Sequence, residues 1–415
     1  MSFVLLGVLS AVSVWFAWRR AFDWLIVITL IAGVLQRTLV TFFHEPLFVY
    51  TDDITVSVAL ASACLLALSR DRRAFAVYAF VAILAGVAYL RAADPVTGFA
   101  QLRQVLLPLG LLLVGRVLAG NGRRIGWAVI GLASFSAVWA LLEVMVQRPL
   151  LDPSWYATDV LGASGSDFRH GLPAAYYADG VIGGEPLFRA GGPFFNPPML
   201  ALFLAGGAYA AMRQLRGLAR IAFLAVIAAA LAASFGRAGM LIFATVTILE
   251  LLWQKVNHLA VLVGVAVVTV AIGFTFMQQG NTSSHPEGFF SGLTTALANP
   301  FGIGFGSTGY QAALRGGEVG PGSESLLGLY FAWLGLPLVL LVIGVVVWLC
   351  RALATHRLAS IEAFMGLSLL TVAALSESAS ALGATAFLWY SLGVTLARQP
   401  GASQPRAISH GDVAV

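Results

Sequence analysis

Apolar residues fill this chain in long blocks, interrupted at short intervals by polar residues and arginine. The blocks fall at about 2–18, 22–41, 53–69, 74–91, 101–119, 125–146, 197–212, 218–234, 238–253, 258–277, 324–349, 359–376 and 381–397. A helix that crosses a bilayer needs roughly 20 predominantly apolar residues. The pattern therefore predicts an all-α, polytopic membrane helix bundle of twelve or thirteen spans. The count depends on the short pair around Ser234-Phe235-Gly236-Arg237, which reads as two tilted helices or one re-entrant unit.

Composition removes the alternatives. The 415 residues are 59% hydrophobic and only 10% charged, with a mean hydropathy of +0.87. A soluble domain carries roughly 25% charged residues, so an ordinary globular enzyme and a disordered protein are both excluded. The blocks divide the chain into N-terminal spans (1–146), a first long loop (147–196), central spans (197–277), a second long loop (278–323), C-terminal spans (324–398) and a polar tail (399–415) expected to be disordered. The run Ser2 to Trp18 ends at Arg19 and Arg20 without a basic segment before it, the flank of a retained span rather than a cleaved leader. Cys64 and Cys350 have no neighbouring cysteine and suggest neither a disulfide framework nor a metal site.

Charge sets the direction. Sixteen of the 24 basic residues, including Arg19/Arg20, Arg70/Arg72/Arg73, Arg116/Arg123/Arg124, Arg213/Arg216/Arg220, Lys255, Arg351/Arg357 and Arg398/Arg406, occupy every second break. The positive-inside rule makes these breaks cytoplasmic, the N-terminus external and the C-terminus internal. Both long loops then face outward. They are rich in Gly, Pro and aromatic residues, among them Trp155, Tyr176, Phe194 and Phe305. Such composition reads either as folded loops that stack on a ligand or as an interfacial aromatic belt.

Eight arginines remain on the outward side: Arg37, Arg91, Arg103, Arg148, Arg169, Arg189, Arg237 and Arg315. An arginine partly within hydrocarbon costs at least about 2–3 kcal/mol at a helix centre and needs a partner. Asp94, Asp167, Glu318 and Glu324 are candidate partners. Eight together also suggest a basic pocket, since guanidinium groups grip phosphate bidentately and stay charged when desolvated.

The glycine run Asn299-Pro300-Phe301-Gly302-Ile303-Gly304-Phe305-Gly306 is not preceded by a strand, which excludes a dinucleotide fingerprint. It reads as a sharp turn ahead of a row of anion-binding amides. The six histidines show no metal spacing. Glu324 opens the run 324–349, where Ser323 is the expected cap and Glu324 a capping carboxylate or a general base. Glu377 is a second, weaker carboxylate candidate.

Three segments in this order resemble the O-antigen polymerase and O-antigen ligase superfamily, the Wzy-type polymerases and lipopolysaccharide ligases. They are Phe188-Arg189-Ala190-Gly191-Gly192-Pro193-Phe194-Phe195-Asn196-Pro197-Pro198, Ser234-Phe235-Gly236-Arg237-Ala238-Gly239, and the stretch from Asn299 through Glu324 to Leu334-Gly335-Leu336-Pro337. Together they cover about 188–341, and the N-terminal spans match in hydropathy alone.

The resemblance implies an inverting, metal-independent glycosyltransferase of the GT-C type in a bacterial inner membrane, with its site facing the periplasm and no cofactor. Donor and acceptor would both be glycans on undecaprenyl diphosphate, alongside membrane lipid, a chain-length regulator and a flippase, with no nucleic acid involved. The diphosphate ligands would be Arg189, Arg237, Arg315 and Arg169. Glu324 and Arg237 would be catalytic. Ligases of the superfamily carry a histidine at the start of the span that Glu324 opens, whereas none lies between His285 and His356. The expectation is therefore a polysaccharide polymerase, ahead of a ligase that caps a lipid or protein acceptor. A lipid-linked glycan transporter ranks third, because no internal repeat is visible and the unusual charges gather at one membrane face.

Overall fold

The computed structural model describes residues 2–92, 94–118, 122–163, 165–182, 185–250, 284–306, 308–309, 320, 323–354 and 360–397. Within these the chain is an all-α bundle. Helices α1 (Ser2–Trp18), α2 (Phe22–Phe43), α3 (Thr51–Arg70), α4 (Arg72–Leu90), α5 (Pro95–Val117) and α6 (Gly122–Val146) precede the first long loop. After it come α7 (Pro197–Gln214), α8 (Gly217–Ser234) and α9 (Arg237–Ala244), the last continued by a wide π-type turn at Thr245–Leu249. Then follow α10 (Ser284–Ala298), α11 (Leu326–Leu334), α12 (Leu336–Ala354), α13 (Ser360–Leu375) and α14 (Leu382–Ala397). The expected span at 258–277, Lys255, Arg315, Glu318 and the tail lie outside the described residues.

Seven of these helices, counting α3 with its short lead-in from Pro46, are long and apolar enough to cross a membrane. Shorter apolar helices at Ser2–Trp18, Arg237–Ile248, Ile361–Leu375 and Leu382–Ala397 accompany them. The buried centre is built from α7, α11 and α14, where nearly every side chain is enclosed. Peripheral helices instead expose large apolar side chains, such as Phe80 and Ile83 on α4, Leu218 and Ile221 on α8, and Leu340 and Ile343 on α12. Bare apolar faces of that extent suit a hydrocarbon solvent, and the protein is a polytopic membrane protein.

Lipid gives apolar surfaces no reason to leave it, so helices associate there through close packing at small residues. The α5–α14 contact shows this. A Cβ on Gly115 would stand 2.0 Å from the Tyr390 carbonyl oxygen, and one on Gly393 2.2 Å from that of Leu112.

The first long loop is folded. Strands β1 (Phe168–Arg169) and β2 (Leu172–Pro173) form one antiparallel hairpin, and β3 (Tyr177–Ile182) and β4 (Glu185–Phe188) a second. The second long loop is folded too in part: it contains α10, which packs along α11. Gly292 and Gly328 touch at that crossing, where an added Cβ would lie 2.1 Å from the Gly328 carbonyl.

One expected span is also corrected. The run 324–349 is not a single helix: it breaks at Gly335, whose φ of 76° ends α11 before Leu336 and Pro337 begin α12. Both ends of α11 meet elements at the same end of the bundle. The Glu324 carbonyl accepts the Glu377 amide at 3.0 Å, and the Ala332 carbonyl at the far end accepts the Ile303 amide at 2.8 Å. The spanning helix is α12.

Candidate functional site

Three anchors hold the motif that closes the first loop. Glu143, fully buried near the end of α6, accepts the amides of Gly191 at 3.0 Å and Gly192 at 2.8 Å. Its other oxygen accepts the Trp139 indole at 3.0 Å and the Leu150 amide at 3.3 Å. From α2, Arg37 donates to the Phe194 carbonyl at 3.0 Å while lying over the Tyr156 ring, and Thr38 donates to the Pro193 carbonyl at 3.2 Å. Asn196 then caps α7, accepting the Met199 amide at 3.1 Å, with Pro197 starting the helix.

This fixes Arg189 against the break between α8 and α9. Its backbone amide donates to Tyr176, and the next amide, that of Ala190, donates to the Ala233 carbonyl at 3.0 Å. Its Nε donates to the Ser234 carbonyl at 2.9 Å and a terminal nitrogen to that of Phe235 at 3.4 Å. Arg189 thus satisfies carbonyls left open where α8 ends. Phe235 adopts a left-handed φ of 48°, and the Ser234 hydroxyl accepts the Gly236 amide, so the chain reverses tightly into α9. Gly236 and Gly239 allow α9 to lie on α7: a Cβ on either would fall 2.2 Å from an atom of Ala201.

Arg237 is the first residue of α9, where the helix dipole is positive. It is exposed, and its charge reaches Arg189. Burial, together with the facing charge of Arg237, pulls the Arg189 guanidinium down to about 10. Two like charges held together at a helix start form a place where an anion lowers the energy of both. Arg169 lies on the first hairpin, opposite Leu172, one hairpin earlier than Arg189. Arg315 is outside the described residues.

The carboxylates gather around α5. Gln104 donates to Glu377 and to Ser380, each at 2.9 Å, and its own carbonyl accepts the Tyr330 hydroxyl. Glu324 is exposed, with a φ of 66°, and its carbonyl binds the Glu377 amide. Helix α11 begins two residues later than expected. Its cap is Ser325, which accepts the Gly328 amide at 2.9 Å, and not Ser323.

The glycine run is a brace. Successive amides from Gly302 to Gly306 donate to Asn299, Ala332, Trp333, Ala88 and the Gln101 side chain, so none of the five is left for an anion. The glycines at 302, 304 and 306 all take positive φ, which the turn requires. Arg91 donates to the Gly302 carbonyl from outside the turn.

Arg103 finds a partner that the sequence reading did not name, forming an ion pair with Asp53 on α3 while lying over Tyr50. Asp94 caps α5 through the amides of Val96 and Thr97. The signal for Asp53 and Glu143 was present, because a carboxylate inside an apolar run must be supplied with donors.

The sites brought together are Arg189 with Arg237, and Glu324 with Glu377. Arg37, Arg91 and Arg103 stand at the same end of the bundle, engaged in its architecture. No protein-family model matches the chain, and no curated protein or solved structure matches it either.

Proposed function

We propose that this protein is a polysaccharide polymerase, an inverting and metal-independent glycosyltransferase of a bacterial inner membrane. The end of the bundle bearing Arg189 and Arg237 faces the periplasm in this reading, as the arginine asymmetry of the loops requires. Undecaprenyl diphosphate carries the growing chain, and a second lipid-linked repeat unit is the acceptor.

The observation that carries the reading is the pairing of Arg189 and Arg237 across the α8–α9 break. Lipid diphosphates present their charge at the membrane surface, and guanidinium groups there neutralise it bidentately. In the transfer, an acceptor hydroxyl oxygen attacks the anomeric carbon of the donor sugar. The bond from that carbon to the diphosphate oxygen breaks, and undecaprenyl diphosphate leaves with the electron pair. Arg237 and Arg189 stabilise that developing charge, with Arg169 and Arg315 as further ligands. The hydroxyl proton goes to the Glu324 carboxylate, which the Glu377 segment supports through its backbone.

Deletion of the gene, followed by size analysis of the envelope polysaccharide, tests the reaction. Loss of long chains with single repeat units retained supports polymerisation. Accumulation of full-length, lipid-linked polymer would instead mark a ligase, and unchanged polysaccharide would remove the proposal.

A further inference from the structure

Far from the Arg189–Arg237 pair, the opposite end of the bundle holds a cleft of about 320 Å³. It opens where the α1–α2 turn meets the last turn of α3, the end of α5 and the start of α6. Its wall includes Arg20, Asp23, Arg70, Leu118 and Arg124. One acid stands among three arginines, and it is taken: Asp23 pairs with Arg124 at 3.5 Å. The side chains of Arg20 and Arg70 make no hydrogen bond or ion pair among the described residues. The cleft therefore holds two guanidinium groups uncommitted among the described residues, and a surplus of positive charge along its wall.

The surroundings identify the kind of anion. The Arg124 guanidinium lies 5.1 Å over the ring of Trp24, and that ring is 44% exposed. Trp18, just before the turn, is 84% exposed. Tryptophan bared at a helix end belongs at headgroup depth in a bilayer. Ile31, two turns beyond Trp24 on the same face of α2, is also exposed and continues an apolar track away from the cleft. A volume of this size is about ten times the roughly 30 Å³ that liquid water allots each molecule, ample for a phosphate diester and its hydration.

We infer that this cleft binds the headgroup of an anionic membrane phospholipid, with its acyl chains along the exposed face of α2. Basic pockets between membrane helices bind such headgroups through charge, each arginine strengthening retention severalfold. The site is independent of the glycosyl-transfer reading and stands if that reading falls.

The test is native mass spectrometry of the purified full-length protein, titrated with phosphatidylglycerol or with phosphatidylcholine. Two variants that each remove two charges from this end are compared, Arg20→Gln/Arg70→Gln in the cleft and Arg72→Gln/Arg73→Gln beside it. Phosphatidylglycerol should be retained over phosphatidylcholine, about thirtyfold less by the cleft variant and undiminished by the control. Thermal stability of the wild-type protein should rise with phosphatidylglycerol and not with phosphatidylcholine, which tests the site without any substitution. Equal retention of the two lipids, or equal loss in both variants, would overturn the inference. Millimolar inorganic phosphate displacing the lipid and reproducing the stabilisation would reassign the cleft to a free anion and overturn the lipid source.

Discussion

Glu143 accepts the amide of Gly192 at 2.8 Å, joining the end of α6 to the motif that carries Arg189. This contact, more than the hairpins above it, decides where Arg189 stands. Glu143→Ala leaves the Gly191 and Gly192 amides and the Trp139 indole without their acceptor. Hydrogen bonds to a charged group contribute about 1.5–3 kcal/mol each, so a loss of roughly 3 kcal/mol or more is expected. Limited proteolysis in detergent should cut within 147–196 at protease levels that the wild-type protein resists. Glu143→Gln keeps one acceptor oxygen and should fall between the two.

Gln101 ties the glycine brace to α5. Its oxygen accepts the Gly306 amide and its nitrogen donates to the Thr308 carbonyl, both at 2.7 Å. Gln101→Leu preserves bulk and strands both groups, at about 1–3 kcal/mol for each. The expected result is a lower midpoint of thermal unfolding, with faster hydrogen exchange concentrated at 302–309.

The crossing of α5 and α14 predicts a sharp contrast between two glycines. At Gly115 the obstacle to a methyl group is the Tyr390 backbone, which has no rotamer with which to yield. Gly115→Ala should reduce the yield of monodisperse protein. Gly86 on α4 meets nothing within 4 Å, and Gly86→Ala should be neutral or stabilising by up to about 1 kcal/mol through helix propensity. Size-exclusion profiles of the two variants, expressed side by side, check the pair.

Arg103 and Asp53 form a partly buried ion pair, with side chains 32% and 12% exposed. Arg103→Gln strands the Asp53 carboxylate and should destabilise by roughly 2–3 kcal/mol, below the 3–5 kcal/mol typical of a fully buried pair because Arg103 reaches solvent. Adding Asp53→Asn should recover much of that loss. A double-mutant cycle on unfolding temperature measures the coupling.

The helices that cross the membrane were legible because hydropathy reports burial in lipid directly. The runs at 22–41, 74–91 and 125–146 became Phe22–Phe43, Arg72–Leu90 and Gly122–Val146. Hydropathy does not report direction, which is why α11 and α12 read as one span across Gly335. Helix α10 stayed hidden because its serines, threonines and glycines give a composition shared by loops. At the site, the pairing of Arg189 and Arg237 joins two motifs that were each visible alone. What places Arg189 there was not legible, because Glu143 acts through backbone amides that have no residue signature. The glycine run shows the reverse: its turn was readable from composition, while four of the five acceptors that use its amides come from α4, α5 and α11 and have no local trace.

In the proposed reaction Arg237 grips a diphosphate bidentately. An arginine serving as an interfacial anchor tolerates lysine, since both side chains snorkel and both are charged. One that holds a diphosphate as a fork does not, because an ammonium group cannot reproduce the planar pair of donors. The direct measurement is the chain-length distribution of envelope polysaccharide in a deletion strain complemented with Arg237→Lys, at matched membrane abundance. The expected result is a protein that inserts and accumulates normally yet forms little or no long polymer, with Arg237→Ala more severe. Wild-type chain lengths from the lysine variant would contradict it.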